Sequence, residues 1–176
     1  MELWVVLAQA FWFIAPAYAA NAFPPLARGK APLDFGRKFC GHRILGNGKT
    51  IKGTTAGIFF GIFAGSVQFY IQLYIPEAVN GVSLNLVVMT PMLAALLSAG
   101  AMAGDIAGSF IKRRLGKKSG KPLPLLDQLG FLVFALLFAG TMPSIEAVIA
   151  LLILTPIIHF IANIIGYFAK LKKNPW

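Results

Sequence analysis

The chain has 176 residues, of which 57% are hydrophobic and 12% charged, and it carries a net charge of +10. With a mean hydropathy of +0.74, it is too apolar for a water-soluble globule of this length, which leaves an integral membrane protein. A single cysteine, Cys40, excludes an internal disulfide, and no Cys/His spacing suggests structural zinc.

Five windows free of charged side chains, 3–27, 53–76, 78–104, 128–145 and 147–169, are each at least 18 residues long. At about 1.5 Å per helical residue, each suffices to cross a hydrocarbon core of roughly 30 Å. The expectation is an all-α integral membrane protein with five transmembrane helices in a single polytopic domain over 1–176. The 16 Lys and Arg residues fall in three places, seven within 28–52, six within 112–121 and three within 170–173. With five spans these stretches share one side. The positive-inside rule then places basic loops 28–53 and 112–124 and the C-terminus in the cytoplasm, the N-terminus outside, and the protein in the cell membrane. Glu2, Glu77 and Glu146 mark the opposite side.

In the first span, Ala17-Tyr18-Ala19 resembles a leader cleavage site, but the stretch before it holds Glu2 and no Lys or Arg, so retention is expected. Asn21 precedes Phe-Pro-Pro at the cytoplasmic exit, where prolines break the helix and release carbonyls, and is a candidate minor contact. In the loop that follows, Phe35, Phe39, Ile44 and Leu45 alternate with Arg37, Lys38 and Arg43, a pattern suited to the headgroup layer. The stretch GNGKTIKGT (46–54) then leads into the second span. Its glycines expose backbone amides, a helix N-terminus adds a positive end and its lysines neutralise oxyanions, so Lys49, Thr50, Lys52, Gly53 and Thr54 are candidate phosphate ligands. It is not a Walker A loop, because Arg43 stands where the first glycine belongs; a solvated basic loop is the default alternative.

Two glycine ladders, Gly57, Gly61 and Gly65 and then Gly100, Gly104 and Gly108, each lie on one helical face and predict close packing of the second and third spans. The alternatives are a homodimer through a glycine face, a lateral opening for lipid chains, and minor ligand contacts at Gly104 and Gly108. The outer connections around 76–83 and 140–144 are short and nearly uncharged, which predicts plain turns.

Asp105, Ser109 and Lys112 follow at i, i+4 and i+7 on one face of the third span, with Arg113 and Arg114 just beyond. A carboxylate inside an apolar helix costs several kcal/mol unless a cation meets it, so either a loop lysine or a divalent metal is required. Asp127 opens the fourth span after a short basic turn and returns to the level of Asp105. Alone it could merely complement the helix dipole. Beside Asp105 and a cationic rim, it suggests a Mg²⁺ site, since Mg²⁺ takes one or two carboxylates plus phosphate oxygens. His159 and Asn163, one turn apart in the last span, predict an interhelical hydrogen bond outside that site.

Together, GDIAGSFIKRRLGKKSGKPLPLLDQLG (104–130), GNGKTIKGT (46–54) and PAYAANAFPPL (16–26) resemble the CDP-archaeol synthase family, archaeal relatives of the CDP-diacylglycerol synthases. The most specific element is Ser109-x-x-Lys112-Arg113 followed by Asp127. Lys118-Ser119 stands where the wider signature has Lys-Asp, and Gln128 and Gly130 stand where Arg and a further Asp would follow. The resemblance implies transfer of a cytidylyl group from CTP to an isoprenoid ether lipid phosphate (2,3-bis-O-geranylgeranylglycerol 1-phosphate), releasing pyrophosphate. It implies catalytic roles for Asp105, Asp127 and Lys112, Mg²⁺ on the two acids, and Ser109 and Arg113 among the phosphate ligands. CTP, the lipid phosphate and membrane lipids are the expected partners, with no nucleic acid. The rival expectations are a small cation- or proton-coupled transporter using Asp105, and a scaffold that binds anionic lipid.

Overall fold

Residues 2–170 are described by a computed structural model. Five helices follow in chain order: α1 Leu3–Ala22, α2 Ile51–Ile71, α3 Pro91–Arg114, α4 Leu126–Ala139 and α5 Ile145–Phe168. Three begin at a hydroxyl that accepts a backbone N–H of the first turn: Thr50 from Gly53, Thr90 from Leu93, and Ser144 from Ala147. Such caps satisfy amides that the helix cannot pair and are each worth about 1 kcal/mol. Four helices are long and apolar enough to cross a membrane. The helix α4 is apolar but has only 14 residues, which at 1.5 Å per residue is about 21 Å. The window expected at 128–145 is cut short because Gly140 turns into the left-handed region, at φ 67, and Pro143 follows.

The third window also divides. Residues 78–83 form a hairpin, β3 Ala78–Val79 with β4 Val82–Ser83, around Asn80 and Gly81, both at positive φ. From there the chain runs without regular structure to Pro91. The plain turn expected here is therefore a structured segment, anchored by neutral side chains. Gln72 donates to the carbonyl of Met89 and accepts from its amide, both at 2.9 Å. Gln9 and Trp12 of α1 donate to the carbonyls of Leu84 and Val87.

The core lies where α1 meets α3 and α4, with Phe13, Ile14, Ala17, Leu97, Ala101, Leu132 and Ala135 all fully buried. Pro16 lies inside α1 and has no N–H to give the carbonyl of Trp12. Gln68 of α2 supplies that bond at 2.8 Å, so a break that would be costly in hydrocarbon is repaired from a neighbouring helix. The outer faces of α2 and α5 carry exposed Phe59, Phe63, Tyr70, Ile149, Ile153 and Ile157, as expected of surfaces against acyl chains.

The glycine ladders do not pair with each other. The α2 ladder faces both α1 and α3: a Cβ on Gly61 would lie 2.7 Å from the carbonyl oxygen of Pro16 and 2.1 Å from the hydroxyl of Ser98. The α3 ladder faces α4, where a Cβ on Gly104 would lie 2.3 Å from the carbonyl oxygen of Gly130. Backbone thus meets backbone at Gly100 and Gly104, so these two glycines serve the packing of α3 on α4.

Candidate functional site

The contact between α3 and α4 sets the level of the two acids. The two helices run antiparallel, with Gly104 against Gly130 and Gly108 against Leu126. Asp105 and Asp127 each lie between these two contacts on their own helix, so both emerge from the same short stretch of interface. Leu125, just before α4, is held at φ 66, a conformation that costs a non-glycine residue about 1–3 kcal/mol. The strain accompanies the placement of Asp127, whose Oδ2 accepts the amide of Leu123 at 2.9 Å.

Each acid holds a lysine. Lys49 Nζ lies 2.6 and 2.5 Å from the two carboxylate oxygens of Asp105. Lys112 Nζ lies 2.5 Å from Oδ1 of Asp127. The loop lysine required by Asp105 is thus Lys49, drawn from the stretch that also caps α2. All four side chains are between 13% and 30% exposed, so the pairs sit at a boundary open to solvent. Ser109, one turn from Asp105, is buried.

The two arginines that end α3 diverge. Arg113 is 5% exposed, and its Nε has no hydrogen-bond partner among the described residues. A buried guanidinium without full pairing is costly, and it suits an anion. It lines a cavity of about 240 Å³ together with His42, Arg43, Gly46, Asn47, Gly116, Lys117, Lys118 and Ser119. Gly46 suits this position, because its φ is +92 and a Cβ would lie 3.1 Å from the Ser119 hydroxyl and 3.3 Å from a terminal nitrogen of Arg113. Arg114 turns the other way and donates to the carbonyls of Phe39, His42 and Arg43. Its guanidinium also lies 5.3 Å from the ring centre of Phe39 and 5.1 Å from that of Phe110.

The loop that Arg114 holds contains a second hairpin, β1 Lys38–Phe39 with β2 His42–Arg43. Its inner side closes on Asp34, which accepts from the amides of Gly36, Leu45 and Gly46 and from two nitrogens of Arg43. The Arg43 guanidinium, aided by these amides, holds the Asp34 carboxyl well below the usual carboxylate range, and Arg43 is raised in return. Phe35 and Phe39 remain exposed, as the alternating pattern of the loop implied.

Of the residues expected at the site, Asp105, Asp127, Lys49, Lys112, Ser109 and Arg113 gather around the basic ends of α3 and α4. Thr50 serves as the cap of α2, while Gly53 is buried beside Pro24. Lys52 and Thr54 lie on the first turn of α2, with Lys52 exposed. Asn21 is half-buried in the last turn of α1. Gly104 and Gly108 serve helix packing. His159 and Asn163 of α5 both make contacts within the protein, and the His159 ring lies 6.2 Å from that of Phe131 on α4. Lys172 and Lys173 of the last basic cluster lie outside the described residues. Sequence reasoning missed Asp34, His42, Asn47, Lys117, Lys118 and Ser119. Among the described residues no cluster of three or more His, Cys, Asp or Glu side chains exists, so a metal here would rest on two carboxylates and oxygens from a substrate.

A family model for CDP-archaeol synthase matches residues 3–176. A CDP-archaeol synthase of Methanococcus maripaludis is 46% identical over 185 residues, covering 100% of both chains. That of Methanopyrus kandleri is 42% identical, covering 98% of this chain and 95% of its own. That of Pyrococcus horikoshii is 45% identical, covering 97% of each. A solved intramembrane enzyme for archaeal membrane lipids biosynthesis matches with a TM-score of 0.74 and 36% identity, covering 90% of this chain and 94% of that one. The chain belongs to the CDP-archaeol synthase family, and it is a membrane-embedded enzyme of lipid biosynthesis.

Proposed function

We propose that this enzyme transfers the cytidylyl group of CTP to an isoprenoid ether lipid phosphate, 2,3-bis-O-geranylgeranylglycerol 1-phosphate or a close relative, with Mg²⁺ at Asp105 and Asp127. The observation that carries it is two carboxylates from separate helices, each beside a lysine, and, where α3 ends, a cavity lined by the buried Arg113 and by Lys117 and Lys118. Hard carboxylate oxygens completed by phosphate suit Mg²⁺. When bound, Mg²⁺ would offset phosphate charge and polarise the phosphoryl group under attack.

A lipid phosphomonoester has a second pKa near 6 and is largely a dianion at neutral pH, so it attacks without a side-chain base. An oxygen of that phosphate forms a bond to the α-phosphorus of CTP, the bond to the β-phosphate oxygen breaks, and pyrophosphate leaves with the electron pair. The difficulty is bringing together about six negative charges. Arg113, Lys117 and Lys118 bind the triphosphate. Lys49 and Lys112 hold the acids in register and keep positive charge where the phosphates meet, with Ser109 orienting one of them. Lys52 and the first turn of α2 at Gly53 and Thr54 extend that positive rim.

The three basic stretches support a cytoplasmic position for this end of the molecule in the cell membrane, where water-soluble CTP meets a lipid whose chains stay in hydrocarbon. Cys40 is exposed on the hairpin at this end, so an impermeant maleimide is expected to label it only after cells are opened. Labelling of intact cells would reverse the orientation. The activity itself is tested by incubating the purified enzyme with CTP, Mg²⁺ and the ether lipid phosphate. Pyrophosphate and a CDP-lipid are expected, CTP outcompeting other nucleoside triphosphates; absence of both products would refute the proposal.

A further inference from the structure

Asp34 stands outside the groups assigned to phosphate above, yet its carboxylate is saturated. Oδ1 accepts from Gly36 N at 3.1 Å and Arg43 Nη2 at 2.6 Å, while Oδ2 accepts from Arg43 Nε at 3.2 Å and from the amides of Leu45 and Gly46 at 3.0 Å. The side chain is fully buried, with no exposed surface. With two bonds on one oxygen and three on the other, the acceptor capacity of a carboxylate is used up. Asp34 is therefore unsuited to be a metal ligand or a base.

These bonds decide the shape of the neighbouring cavity. They fold the segment from Gly36 to Gly46 back on itself and leave a third guanidinium nitrogen of Arg43 to donate to Asn47 Oδ1 at 2.9 Å. Arg43, Gly46 and Asn47 then line the cavity together with Arg113, Lys118 and Ser119, with Gly46 lying against Ser119 and Arg113. The outer side of the same loop is held by Arg114 through the carbonyls of Phe39, His42 and Arg43. The loop is rich in glycine, with Gly36, Gly41, Gly46 and Gly48, and would sample many conformations without such ties.

We propose that Asp34 is a positioning residue for the nucleotide, its carboxylate fixing residues 43–47 as a preformed wall of the triphosphate pocket beside Arg113. The proposal rests on the assignment of that pocket to CTP. Its physical basis is preorganisation: each backbone residue that must be ordered on binding lowers affinity about tenfold. Because Arg43 and the loop amides keep the acid ionised, the wall is in place before substrate arrives.

The test is steady-state kinetics of the full-length enzyme with Asp34→Asn, beside Arg113→Gln. Asp34→Asn should raise the KM for CTP about tenfold or more, leave the KM for the lipid phosphate unchanged and keep kcat within about threefold. An unchanged KM for CTP, or a fall in kcat alone, overturns the proposal. If Arg113→Gln raises the KM for CTP and Asp34→Asn does not, the pocket stands and the role of Asp34 falls. If Arg113→Gln has no effect on that KM, the pocket assignment falls and takes this inference with it. A measurement that needs no variant is amide exchange of the wild-type enzyme without nucleotide: Leu45 and Gly46 should exchange slowly, and rapid exchange at both would show that no wall is preformed.

Discussion

The two ends of the helix bundle each carry a small hairpin and a non-helical segment returning to a helix, and they are held by opposite chemistry. At the end bearing Glu2 and Glu77, the ties are neutral: Gln72 grips Met89 by both its amide and its carbonyl, and Gln9 and Trp12 take the carbonyls of Leu84 and Val87. At the basic end the ties are ionic: Asp34 with Arg43, Asp105 with Lys49, and Asp127 with Lys112. Neutral amide ties satisfy the backbone where water is scarce and leave nothing for a charged substrate to exchange with. The ties of Asp105 and Asp127, at partly exposed positions, can be remade around an incoming phosphate or metal, whereas the Asp34 carboxylate is buried and its tie stays fixed. Cations there outnumber the three acids, and Arg113 is buried without a full set of partners. On the proposed function, the difference separates an end built for stability from one built for polyanions.

The sharpest way to break that contrast is to remove a charge from the basic end. Asp105→Asn or Asp127→Asn should lower kcat about a thousandfold while thermal unfolding stays near that of the wild type, as checked by pyrophosphate release and a melting curve. Retained turnover in either variant would make these pairs structural, like the ties at the other end. Next comes the seam that brings the acids to one level. Gly104→Val forces a Cβ against the carbonyl of Gly130 and should cost about 3 kcal/mol, read as a lowered midpoint of unfolding with loss of turnover. Gln72→Leu leaves the amide and carbonyl of Met89 without their side-chain partner and should cost about 2 kcal/mol. Its kcat and both KM values should not change, and a changed KM for CTP would couple the two ends.

The smallest effect is on pH. The folded pKa of Asp34 lies below its unfolded value, so its contribution is complete above the ordinary carboxylate range and is lost progressively as pH falls through that range toward its own lower pKa. Arg43 stays charged throughout. Amide protection at Leu45 and Gly46 should therefore decline in acid, while protection at Met89, tied by an uncharged glutamine, holds. Equal loss at both ends would contradict the contrast.

Local pattern revealed much of this. The charge-free windows located five helices, though not the bounds of the third and fourth, and the i, i+4, i+7 stripe placed Asp105, Ser109 and Lys112 on one face, because each depends on residues within a few turns. Three features escaped because they depend on where distant segments meet. Lys49 pairs with Asp105 across 56 positions, and periodicity is silent on such a pair. The glycine ladders announced close packing but not their partners, since a missing side chain says how near a neighbour comes and not which neighbour it is. Asp34 read as one more charge in a basic loop, because its saturation by amides 11 and 12 residues away exists only after the loop has closed. The hairpin at the end bearing Glu77 did carry a local signal. Asn80-Gly81 is the dipeptide that supplies two positive φ values, and it marks a hairpin within a stretch expected to be a plain turn.

The most direct test of the central claim, that Asp105 and Asp127 act as one unit, is a double-mutant cycle on kcat with Asp105→Asn, Asp127→Asn and the pair together. Joint action predicts that the double variant is no slower than either single variant, since removing one acid already destroys the site. Losses that multiply across the two positions would show that the acids work independently, and the shared site would have to be abandoned.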